Sequence, residues 1–211
     1  MAKLFARQGC QVDAVEIDPV VTRVARRDFG LTEAEARVHH ADGRRYLDSV
    51  TETYDAIVLD AFGSSSIPFH LVTREAFDLA AERLAPDGVL ALNVECVGWD
   101  DQLVRSLAAT LRERFAHVVA LPIAEPPDQL GNLILFASQR ELDIAREIPP
   151  TPDRFSSIYD KNHAWDNRFA PEARDAVVLT DDLNPVDIWS DRINHAARRD
   201  LHGRFGEGLA W

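Results

Sequence analysis

Short apolar runs alternate with amphipathic stretches over the first two thirds of the chain. Residues 3–9 read as the end of a helix stopped at Gly9, and residues 11–17 as a strand. That strand runs into Glu16-Ile17-Asp18-Pro19, which predicts a helix over Pro19–Phe29 with Asp18 as its N-cap and Pro19 at its first position. A short strand over residues 37–40 and a helix from about Arg44 to Ser49 follow. The strand at 54–59 contains Ala56-Ile57-Val58-Leu59, a continuous apolar run of the kind covered on both faces of a sheet. Thr73 to Leu84 reads as helix, Ala85-Pro86-Asp87-Gly88 as a turn, and residues 89–94 as a strand. Leu103, Leu107 and Leu111 recur at four-residue spacing in an amphipathic helix over 101–115. Strands at 118–121 and 133–137 are joined by a link containing Pro122, Pro126 and Pro127.

This alternation predicts an α/β domain with an open, mostly parallel sheet, the strands at 11–17, 37–40, 54–59 and 89–94 running parallel. Ligands of such sheets sit beyond the carboxyl ends of the strands. Three acids fall there: Glu16, Asp42 after Ala41, and Asp60 after Leu59. Parallel strands would bring all three to one edge. Glu16 is placed to accept hydrogen bonds from vicinal ribose hydroxyls; the competing expectation for each acid is that it caps the helix that follows. A Gly-rich strand-to-helix turn normally stands about 20 residues before such an acid, a position that would precede Met1. The strands at 11–17 and 54–59 are therefore expected either to flank a gap or to pair directly. An open central edge is expected to lower stability or to draw in a second copy of the chain.

Composition narrows the function classes. With 211 residues, 46% of them hydrophobic, the chain can bury a sizeable core. A net charge of −12 argues against a surface for nucleic acid or anionic membrane, and is compatible with a small cationic substrate. The two cysteines, Cys10 and Cys96, lack metal-ligand or redox spacing and read as buried thiols in a reducing compartment. No apolar run reaches the roughly 18 residues of a membrane span. The opening Ala-Lys-Leu-Phe-Ala-Arg is too polar for a signal peptide, so a cytoplasmic location is expected. After Glu147 the pattern breaks at Ile148-Pro149-Pro150, dividing a domain over 1–147 from an irregular segment and C-terminal helix over 148–211. Asn184 and Pro185 are placed to start that helix, and Trp165, Trp189 and Trp211 to anchor the segment.

Val15-Glu16-Ile17-Asp18-Pro19, then Ala41-Asp42-Gly43, then Tyr54-Asp55-Ala56-Ile57-Val58-Leu59-Asp60-Ala61-Phe62 resemble consecutive motifs of the spermidine synthase family. These are polyamine aminopropyltransferases on a methyltransferase-type Rossmann-like domain. The resemblance covers roughly residues 1–137, and Leu179 to Asp187 further resembles the tail of a spermidine-synthase-like branch often fused to transporters. It implies that Glu16 binds the ribose, that Asp42 with Gly43 binds the adenine amino group, and that Asp60 is the catalytic base. It also implies decarboxylated S-adenosylmethionine, or S-adenosylmethionine, as co-substrate and a small amine as acceptor, with no further cofactor and no metal. A free alkylamine has a pKa of about 10.4, so a carboxylate that accepts its proton during attack fits the chemistry.

The chain also departs from the family's pattern. Asp60-Ala61-Phe62-Gly63-Ser64 lacks the second loop acid that would anchor a distal amine, and Pro126-Pro127-Asp128 stands where a tyrosine is expected. The first strand, with its Gly-rich loop, is not in the sequence. Either the chain is an N-terminally short version of a longer protein or it has lost cofactor binding. An S-adenosylmethionine-dependent methyltransferase and a non-catalytic Rossmann-like module are the alternatives. Gly63 to Ser66 lacks a nucleophile elbow and reads as a mobile lid. His70 reads as either a substrate contact or a helix cap. His39 and His40 should face opposite ways, and Asp181-Asp182 reads as a turn rather than a metal pair.

Overall fold

Asp18 opens the longest helix of the N-terminal part by accepting a hydrogen bond from Val20 N at 2.7 Å, and Gly30, at φ +62°, closes it. In the computed structural model, which describes residues 1–61, 67–123, 127–142 and 161–205, this helix is α2, Pro19–Phe29. The chain divides into two units, residues 1–51 and residues 52–211. The first holds α1 (Ala2–Arg7), β1 (Asp13–Val15), α2, β2 (Arg37–His39) and α3 (Gly43–Ser49). Gly9, at φ +85°, ends α1 where sequence places the stop. β1 and β2 pair in parallel, Asp13 against Arg37 and Val15 against His39. Asp13 ties them: His39 Nε2 lies 2.8 Å and Arg37 Nη2 2.9 Å from its carboxylate. Burial pushes that carboxyl's pKa up, but the hydrogen bonds from His39 and Arg37 outweigh it and hold the group below its ordinary value. His40 bonds instead to Thr22 Oγ1 at 3.1 Å, so the two histidines have separate structural partners. Cys10, expected to be buried, is exposed because it lies in the link between α1 and β1.

The second unit holds β3 (Tyr54–Leu59), a 3-10 turn at Phe69–Leu71, α4 (Arg74–Glu82), β4 (Leu84–Val97), α5 (Gln102–Arg112), β5 (His117–Pro122), β6 (Leu130–Ser138), α6 (Lys161–Asp166) and α7 (Val186–Phe205). Its sheet has the order β3-β4-β6-β5; β3 and β4 are parallel, and β6 runs antiparallel to both neighbours. β1 and β2 form a separate sheet, so β1 does not pair directly with β3. Ala85 to Gly88, expected as a turn, lie within β4, where Tyr54 faces Leu84 but Ala56 already faces Val89. The extra residues bulge out, and Gly88 is required there: a Cβ would meet the carbonyl oxygens of Ala85 and Tyr54 at 3.0 Å.

One face of this sheet is the core. Leu90, Leu92, Val94, Leu133, Leu135 and Ala120 are buried, as are Phe77 of α4 and the Leu103, Leu107, Leu111 stripe of α5. The other face is not closed in the same way: Ala56 and Val58 of β3 are exposed, which corrects the expectation of a strand covered on both sides. Among the described residues β3 is the edge strand of its sheet, with a neighbour on one flank only.

Residues 169–179 lie against α5 and β5. Val177 N and Leu179 N donate to Ser106 Oγ and Thr110 Oγ1 at 3.1 and 2.9 Å. Phe169 exchanges backbone hydrogen bonds with Ala120 and stacks on Trp99. Asn184 accepts from Val186 N at 3.2 Å, the cap expected at the start of α7. Asp101 Oδ1 caps α5 through Leu103 N, and both its oxygens accept from Arg192 of α7. Asp181 and Asp182 are exposed and belong to a turn closed by Thr180 and Leu183; among the described residues no cluster of His, Cys, Asp and Glu is suited to a metal. No helix of the described residues is long and apolar enough to cross a membrane.

Candidate active site

In the first unit, the carboxyl ends of the parallel pair β1 and β2 carry Glu16 and Asp42 on one edge. Glu16 follows β1 directly; its backbone N donates to His39 O at 3.0 Å, and its Oε1 accepts from Asp18 N at 2.8 Å. The side chain is thereby folded over the first turn of α2. It is half-buried, held by one oxygen to its own loop. Asp42 is the N-cap of α3, with Oδ1 accepting from Arg45 N at 3.0 Å, and Gly43 is the first residue of that helix. The capping expectation for Asp42 is therefore realised. Capping occupies Oδ1 and sets the carboxylate at a helix N-terminus.

In the second unit, Asp60 stands at the carboxyl end of β3 and is exposed. It caps no helix. Leu59 is paired with Leu92 in parallel register, so the residues that follow them, Asp60 and Asn93, lie side by side. Asn93 Nδ2 donates to Asp60 Oδ1 at 2.9 Å, and Asn132 Nδ2 donates to Asn93 Oδ1 at 3.1 Å. Among the described residues Asp60 Oδ2 has no hydrogen-bond partner. Beside this carboxylate is a shallow hollow lined by Leu59, Ala61, Ile67, Leu71, Leu92 and Asn93. An anionic oxygen at the rim of such a hollow can hold an ammonium group by charge.

Sequence reasoning missed Asn93 and Asn132. Asn93 is the one polar residue in Val89-Leu90-Ala91-Leu92-Asn93-Val94, and that interruption of an apolar strand was the available signal. The segment Gly63 to Ser66, read as a lid, lies outside the described residues. His70 sits in the 3-10 turn with its ring edge-on to Phe69.

A parallel β1–β2 pair ending on acids, and a β3–β4 pair continued by antiparallel β6 and β5, define an α/β protein of the methyltransferase-like Rossmann type. The chain belongs to the spermine/spermidine synthase domain family, whose model matches residues 7–147. It is 29% identical over 206 residues to a polyamine aminopropyltransferase of Vibrio vulnificus, an alignment covering 89% of this chain and 64% of the relative. The crystal structure of a probable spermidine synthase from Corynebacterium glutamicum superposes with a TM-score of 0.60 at 29% identity, over 67% of this chain and 52% of that one. Human methyltransferase-like protein 13, solved in complex with SAH, shares the fold with a TM-score of 0.55 at 24% identity, over 74% of this chain and 82% of that one. The chain thus spans less than two thirds of the length of its aminopropyltransferase-type relatives.

Proposed function

We propose that this chain acts in aminopropyl transfer from decarboxylated S-adenosylmethionine to a small amine, as part of polyamine synthesis. In that reaction the neutral amine attacks the methylene carbon next to the sulfonium. The C–N bond forms as the C–S bond breaks, the bonding pair returns to sulfur, and methylthioadenosine leaves. Before attack Asp60 holds the acceptor as its ammonium by charge and accepts one proton from it, which frees the lone pair; the product nitrogen keeps its two protons and leaves as a secondary ammonium. Glu16 takes the ribose hydroxyls, and Asp42 with Gly43 takes the adenine amino group. The sulfonium is already a good leaving group, so the protein's task is alignment and removal of the proton.

The observation that carries this reading is the state of Asp60: a strand-end carboxylate with one oxygen held by Asn93 and the other without a partner among the described residues. Family membership and the aminopropyltransferase-type relatives support the reaction class. The net charge of −12 suits a cationic acceptor and donor. The intact protein, incubated with 1,4-diaminobutane and either donor, is expected to yield the aminopropylated amine and methylthioadenosine from decarboxylated S-adenosylmethionine. Methylated product from intact S-adenosylmethionine, with the decarboxylated donor inert, would contradict the proposal. Mass spectrometry of the quenched mixture distinguishes the two.

A further inference from the structure

We infer that Asn93 and Asn132 form a one-way hydrogen-bond relay that aims the Asp60 carboxylate, an inference that rests on the role proposed for Asp60 above. Strand register builds the relay. Asn93 follows Leu92, the partner of Leu59, and so lies beside Asp60 across the β3–β4 pair. On its other flank Asn93 faces Ile134, and Asn132 faces Glu95, which places Asn132 diagonal to Asn93 on the same side of the sheet. The donor-to-acceptor distances are 2.9 Å from Asn93 to Asp60 and 3.1 Å from Asn132 to Asn93.

The direction follows from what each group can do. An ionised carboxylate only accepts, whereas a carboxamide donates at its nitrogen and accepts at its oxygen. Asn93 must therefore turn Nδ2 toward Asp60, which leaves its Oδ1 needing a donor, and Asn132 Nδ2 supplies one. Turned over, Asn93 would set Oδ1 against the carboxylate and Nδ2 against Nδ2 of Asn132, two repulsive contacts in place of two bonds. Asn132 thus fixes the orientation of Asn93, and Asn93 fixes one oxygen of Asp60. The second oxygen then has one direction, which is what proton transfer from an attacking amine requires. Both amides stand on paired strands rather than on loops, so their positions are set by the ladder. Neither is a catalytic residue; they are positioning residues acting through Asp60.

A mutant cycle on the intact protein tests this, using single-turnover transfer from decarboxylated S-adenosylmethionine to 1,4-diaminobutane and calorimetric donor affinity. Asn93→Leu, nearly isosteric, is expected to slow transfer by about 10- to 100-fold, the range for a misplaced reacting group, with donor affinity within about twofold of the native value. In an Asp60→Asn background the same change is expected to cost less than about threefold, because the group being aimed is gone. Asn132→Asp is expected to slow transfer more than Asn132→Ala, since its acceptor-only side chain turns the Asn93 oxygen toward Asp60. A purely structural role gives the opposite ranking, because Asp preserves the shape of Asn. A readout free of substrate is the carboxamide proton signals of Asn93 and Asn132 in a nitrogen-15 spectrum, both of which should move on Asp60→Ala. Full additivity in the cycle, the reversed ranking at Asn132, or Asn93 signals indifferent to Asp60→Ala would overturn the relay while leaving the role of Asp60 standing. If Asp60→Asn itself leaves transfer unchanged, the proposed function fails and the relay falls with it.

Discussion

Replacing Asp101 by Ala is expected to destabilise the second unit by about 2–4 kcal/mol, while Arg192→Ala costs no more than about 1 kcal/mol. The difference follows from where each partner stands. The Asp101 side chain is fully buried, at 0% exposure, whereas that of Arg192 is 59% exposed. Asp101 accepts from Leu103 N at 2.9 Å, from Val97 N at 3.1 Å, and from Arg192 Nη2 at 2.9 and 2.8 Å. Loss of the helix cap is worth about 1 kcal/mol. A second backbone N–H, that of Val97, also loses its acceptor and adds about 1–3 kcal/mol. Removing Arg192 instead leaves the carboxylate with its two backbone donors, and only a half-solvated ion pair is lost. Urea unfolding followed by tryptophan fluorescence reads the effect cleanly, because all four tryptophans lie in the second unit. Equal losses for the two variants would refute the reasoning, because the carboxylate would then act through the ion pair and not through the helix cap.

Gly88→Ala is expected to destabilise the same unit by about 1–3 kcal/mol, the usual cost of overpacking, because its Cβ would press on two carbonyl oxygens; an unchanged urea midpoint would contradict that. The depressed pKa of Asp13 means that its contribution is fully present above the ordinary carboxylate range and is lost as pH falls through the folded value. An acid titration followed by circular dichroism should therefore show a shallower acid limb for Asp13→Asn than for the native protein, and identical limbs would count against the Asp13 cluster. Asp42→Asn keeps a good helix cap, so thermal stability should change by less than about 0.5 kcal/mol while donor affinity falls, if the carboxylate binds adenine as well as capping α3.

Local chemistry made much of this fold legible. α2 spans Pro19–Phe29 with Asp18 as its N-cap, as the sequence predicts, and β3 occupies 54–59 as its apolar run requires. The Leu103, Leu107, Leu111 stripe marked the buried face of α5. What sequence did not reveal depends on register between distant segments. Ala85 to Gly88 carry every mark of a free turn, yet the partner residues of β3 draw them into β4 as a bulge. The exposure of Val58 depends on β3 lying at the edge of its sheet, which an apolar run does not encode. Asp60 was legible as a strand-end acid, but its tie to Asn93 spans 33 residues and that of Asn93 to Asn132 spans 39. Asp101 meets Arg192 across 91 residues, a pairing that only the packing of α7 creates.

The central claim is that Asp60 accepts the proton of the attacking amine, and Asp60→Asn tests it most directly by removing the acceptor while nearly preserving shape. Single-turnover transfer from decarboxylated S-adenosylmethionine to 1,4-diaminobutane is expected to fall by about 100- to 10,000-fold, with donor affinity measured by calorimetry little changed. A fall of less than about tenfold, with the donor bound as tightly as in the native protein, would contradict the account.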